Sequence, residues 1–107
     1  MDSPGIEKRL VDEFVGAGVM VFPDGKRVAV EYDVAVWREY SYGHPLGPTF
    51  AVKISSKTDP LLGGRFIGKE FVLEMRDNKR LALVILKDDG TAAHCPGIVE
   101  GFPGIRG

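Results

Sequence analysis

The sequence predicts a single all-β domain: a small antiparallel β-barrel or closed sandwich of about six strands, with room for one short N-terminal helix. Three observations carry this. Glycine is 14 of 107 residues, about twice the usual share of roughly 7%, and it falls in clusters. Between the clusters lie β-branched and aromatic runs. One of those runs, Val28 to Val36, alternates apolar and polar with a period of two, which a helix would not produce.

Residues 1–16 read as a helix or as a lead-in strand. Ser3 can cap, Pro4 can take the first helical position, and Ile6, Leu10, Val11 and Phe14 then form an apolar stripe. Gly16 or Gly18 would end it. In the alternative, Phe14 to Phe22 is one glycine-interrupted strand. Val19–Phe22 then forms a hairpin with Val28–Tyr32 across Pro23-Asp24-Gly25. On the long strand Val28, Val30, Tyr32, Val34 and Val36 face the core. Ala29, Glu31, Asp33 and Ala35 face out, with Trp37 as the apolar exception on that face. Pairing from Lys26 to Tyr40 would span about 50 Å, against a radius of gyration of about 13 Å for a domain of this size. The strand is therefore expected to bend, coil or change layers, which favours a barrel.

Thr49–Ile54 turns Phe50, Val52 and Ile54 inward, and Glu70–Met75 does the same with Phe71, Leu73 and Met75. Leu81–Leu86 is apolar on both faces, so both faces should be covered, by a second layer, by the tail or by a second subunit. The stretches Pro23–Val30 and Arg76–Leu83 echo each other. Asp24-Gly25 and Asp77-Asn78 suit type I′ turns, in which both central residues take positive φ. Asp88-Asp89-Gly90 reads as a third turn of that kind. Residues 96–107 read as an irregular Gly/Pro tail.

Several function classes are excluded or disfavoured. The net charge is −1, which argues against a whole-molecule nucleic-acid or membrane binder. No apolar run approaches the ~18 residues of a membrane span, and no leader peptide is visible at Met1-Asp2-Ser3-Pro4. One cysteine excludes an internal disulfide framework and fits a reducing cytoplasm, the expected location. No cofactor is expected.

Candidate chemistry is sparse. His44, His94 and Cys95 are the only soft ligands, without the spacing of a metal site. Cys95 lacks a well-placed base, since the adjacent His94 would face the other way on a strand. Glu31 and Asp33 share one strand face at about 7 Å, from twice the rise per residue, as on any solvated face. An enzyme would need Glu31, Asp33, His44 or His94 to converge. Gly16-Ala17-Gly18 begins a dinucleotide-like pattern, but Val21 stands where the third glycine belongs. Arg76-Asp77-Asn78-Lys79-Arg80 has the Arg-x-x-x-Arg spacing of PilZ-type cyclic-dinucleotide receptors. That family also carries an Asp/Asn-x-Ser-x-x-Gly stretch, and Asp88-Asp89-Gly90-Thr91-Ala92 has no serine, so no family is assigned.

Two binding readings remain. The first is a non-catalytic binding or assembly module. Its apolar strand, through Leu81, Leu83, Val84 and Leu86, would meet a second copy or another protein. The second is an anion or single-stranded nucleic-acid site formed by Lys26, Arg27, Arg76, Lys79 and Arg80, with Trp37 as a stacking ring.

Overall fold

The computed structural model describes residues 6–102. Six strands, β1 (Ile6–Val21), β2 (Arg27–Ser41), β3 (His44–Ser55), β4 (Glu70–Glu74), β5 (Arg80–Ile85) and β6 (Thr91–Glu100), close into a barrel in the order β1-β2-β3-β6-β5-β4. Every neighbouring pair is antiparallel. A single helical turn, α1 (Leu62–Arg65), lies between β3 and β4 and buries Leu62.

The alternating faces explain the core. Val30, Tyr32, Val34 and Val36 of β2 point inward with Phe50, Val52 and Ile54 of β3, Phe71 and Leu73 of β4, and Leu81, Leu83 and Ile85 of β5. Phenylalanines close both ends of this core. Phe22 packs on Phe66 and Phe71 at one end, and Phe102 packs edge-on against Phe14 and Phe50 at the other. The Tyr32 ring lies under β1, and its hydroxyl accepts a hydrogen bond from the Arg76 N–H at 3.2 Å. Gly18 is required there. A Cβ at that position would stand 2.4 Å from the Glu74 carbonyl oxygen and 3.1 Å from the Tyr32 ring. The Gly-Ala-Gly run is therefore a close-packing device on a strand, not a phosphate loop.

Of the two readings of the N-terminus, helix or lead-in strand, the strand is the one that forms, and it starts well before Phe14. β1 begins at Ile6 and pairs with β2 along its whole length. The cross-strand partners on β2 outweigh the capping signals, because the helical stripe would have left β2 without a neighbour on that side. The C-terminal reading also changes: Pro96–Glu100 belongs to β6, and residues 103–107 lie outside the described residues.

Both proposed hairpins form, but only one has the expected turn. Asp77 and Asn78 have φ of 62° and 60°, as a type I′ turn requires. At the first hairpin only Gly25 is left-handed, and Gly25 N–H donates to Phe22 O while Phe22 N–H donates to Lys26 O. This is a three-residue loop, a type I turn followed by a glycine bulge. The turn at Gly90 follows the same pattern, with Gly90 N–H on Lys87 O and only Gly90 left-handed. Proline at position 23 favours the type I turn at the first loop.

Closure depends on two short seams. β1 pairs with β4 only through Val19–Val21, and β3 pairs with β6 only through Val52 and Lys53. The second seam is extended by Ile54 N–H, which donates to Gly90 O at 2.9 Å. A Cβ on Gly90 would meet Ile54 O at 1.9 Å. Gly90→Ala is therefore expected to cost about 2–4 kcal/mol in urea unfolding, from steric overlap plus a left-handed backbone. Gly25→Ala, where φ is +90° and the space is open, should cost only about 1 kcal/mol. Equal losses would show that Gly90 does not lock the seam.

Candidate functional site

The short seams leave one end of each of three long strands outside the barrel. Past the Phe14–Phe50–Phe102 plug, β1, β2 and β3 continue as a projecting three-stranded sheet, and the molecule measures 44 × 29 × 22 Å. The long strand thus protrudes, where it was expected to bend, coil or change layers. Among the described residues, Glu7–Val15 of β1 has β2 on one side and no strand on the other. Among the described residues the outer edge of β3 is likewise unpaired over His44–Ala51, but it carries Pro45 and Pro48, which remove N–H donors and blunt an edge. β1 has no such proline.

Register fixes which side chains share a face. Leu10 stands opposite Trp37, Glu13 opposite Ala35 and Val15 opposite Asp33. Thr49 and Lys53 flank the same face from β3. A broad groove of about 570 Å³ lies on this face, with Ala35 and Ala51 in it beside Trp37 and Glu13. Arg9 stands opposite Arg38 and Asp12 opposite Val36 on the other face. A bulge between Leu10 and Asp12 inserts Val11 as an extra residue. Leu10, Val11 and Val15 are 51%, 51% and 70% exposed, a run of apolar surface along a free edge.

Two pairs of like charge are neighbours on this sheet. Glu13 shares a hydrogen bond with the Asp33 carboxyl, and that bond, reinforced by the Asp33 charge, holds the Glu13 pKa above its ordinary value. On the opposite face Arg9 and Arg38 are cross-strand partners of like charge. The Arg9 guanidinium lies over the Tyr40 ring at 4.9 Å and reaches Glu7 at 3.1 Å.

The chain matches no known family, curated protein or solved structure. The functional reading therefore rests on this geometry.

The basic residues do not form one patch: Arg27 reaches Glu74, the cross-strand partner of Arg80, while Lys26 and Lys79 lie apart. Lys26 and Arg27 sit at the β1–β2 turn, whereas Lys79 lies over the Phe14 ring at 4.8 Å. Phe14 is seven residues along β1 from Val21, the partner of Arg27, or about 23 Å away. Trp37 is ten residues along β2 from Arg27, about 33 Å. Two of the arginines are neutralised, Arg27 by Glu74 at 2.7 Å and Arg80 by Glu100 at 3.2 Å. Lys26 rests over the Phe66 ring, and Arg76 is exposed at the β4–β5 turn.

The apolar-strand reading is likewise corrected. Leu81 and Leu83 are fully buried inside the barrel and cannot form an interface. The outer face of β5 is covered by the tail. Val99 stands opposite Leu81 and His94 opposite Leu83, so Cys95–Ile98 forms a wide bulge, with Gly97 against Ala82. Val84 is half-buried and Leu86 exposed.

The remaining candidates stay apart. His94 packs on Phe50 at 5.3 Å, and burial lowers its pKa. His44 pairs with Ser41 at the tip of the projecting sheet. Burial, and then the nearby Glu70 carboxylate, raise the Cys95 pKa, which keeps the thiol protonated and a poor nucleophile. Glu31 approaches Lys57 at 3.7 Å. No group of three or more potential metal ligands exists among the described residues, and no helix there is long and apolar enough to cross a membrane.

The raised Glu13 pKa makes the folded state bind a proton more readily than the unfolded chain. Its contribution to stability is present below the ordinary carboxylate range and is lost as pH rises through the raised value. Asp33→Asn should bring the Glu13 pKa down in an NMR titration of its side-chain carboxyl. An unchanged midpoint would show that Asp33 is not the cause.

Proposed function

We propose that this protein is a non-catalytic assembly module that self-associates through its projecting sheet. The carrying observation is the edge of β1 from Glu7 to Val15, which no strand pairs among the described residues, bordered by Leu10, Val11 and Val15 and not blunted by proline. A strand edge of this length presents a ladder of unpaired backbone groups that a second strand can complete. The neutralised arginines and the separation of Trp37 from Lys26 and Arg27 leave less support for nucleic-acid binding. A protonated, unpaired Cys95 thiol fits a reducing compartment such as the cytoplasm.

Sedimentation equilibrium tests the reading. The expected species has twice the 11.7 kDa chain mass and dissociates on dilution. An 11.7 kDa monomer at every concentration up to the millimolar range would overturn it.

A further inference from the structure

We propose that the strand added to β1 is β1 of a second copy, running antiparallel about a two-fold axis at the bulge, with Lys8 opposite the partner's Glu13 and Arg9 opposite the partner's Asp12. This names the partner and register of the self-association proposed above and rests on that reading.

The first support is the charge order of the edge. Lys8-Arg9 precedes Leu10-Val11, and Asp12-Glu13 follows. Read antiparallel against itself, this segment sets each base opposite an acid and places the apolar pair at the axis. A parallel copy in register would set like on like.

The second support is the bulge. A two-fold axis perpendicular to a sheet keeps each face on its own side, so opposed residues must share a face. Lys8 and Glu13 are five positions apart and would lie on opposite faces of a regular strand. Val11 changes that parity. Lys8 shares the face of Glu39, its cross-strand partner, and Glu13 shares that of Ala35, and both belong to the Trp37 face. Arg9 and Asp12 fall together on the other face, opposite Arg38 and Val36. The irregularity that would otherwise disturb edge pairing makes this register self-consistent.

The third support is what the pairing would relieve. Glu13 lies beside Asp33. In the proposed register the partner's Lys8 reaches the two carboxylates. Like charges directly opposed on a sheet are destabilising, and opposite charges are favourable.

Charge exchange tests the register. Lys8→Glu and Glu13→Lys each convert both symmetric contacts to repulsion and should weaken the dimer about tenfold or more in sedimentation velocity. An equimolar mixture of the two variants should recover wild-type association, because each contact in the mixed dimer is again acid against base. The double variant K8E/E13K should also recover it. Both side chains are exposed, and unchanged circular dichroism serves as the folding control. A dimer whose affinity ignores both single variants, or a mixture that does not recover, would overturn the register while leaving self-association standing. A wild-type monomer would overturn both.

Discussion

The barrel is closed by two seams much shorter than the strands they join. β1 and β4 meet over Val19–Val21, and β3 and β6 meet over Val52–Lys53 with Gly90 docked on Ile54. The partners available for closure are β4, only five residues long, and β6, of which only Thr91 and Ala92 meet β3. β1 and β2, at 16 and 15 residues, must extend past them. The phenylalanine plug at Phe14, Phe50 and Phe102 marks where the barrel core ends.

That mismatch shapes the surface chemistry. A strand flanked on both sides satisfies its backbone groups and hides its apolar side chains, as β5 does between β4 and β6. The outer half of β1 can do neither. It retains exposed Leu10, Val11 and Val15 and sets Glu13 beside Asp33. In the proposed dimer these features become favourable contacts along the added strand. The contrast with β3 is informative, because Pro45 and Pro48 protect its edge whereas β1 carries a bulge instead.

Much of the barrel was legible because it rests on period-two alternation. Val28–Val36, Phe50–Ile54 and Phe71–Met75 bury the residues their patterns indicate, with Val28 only half-buried. The exposed edge of β1 was less legible. On β1 the bulge at Val11 breaks the alternation, so Ile6, Leu10, Val11 and Phe14 imitate a helical stripe, while Gly16 and Gly18 imitate a helix stop. Leu81–Leu86 misled in the opposite direction. Its second apolar face answers to Gly97 and the Cys95–Ile98 bulge, a contact between residues more than ten positions apart that no local pattern encodes. The basic turns look equivalent in sequence, but antiparallel pairing sends them to different parts of the barrel, and Glu74 and Glu100 neutralise two of their arginines.

The most direct measurement is residue-level amide hydrogen exchange of β1 across a range of protein concentrations. The alternate amides of Glu7–Phe14 that do not donate to β2 should exchange quickly in dilute solution and become protected as concentration rises. The amides of Val19–Val21, already held in the seam, should not change. If those edge amides exchange freely at every concentration, or if protection appears instead at Val84 and Leu86, the account of β1 as the assembly edge is contradicted.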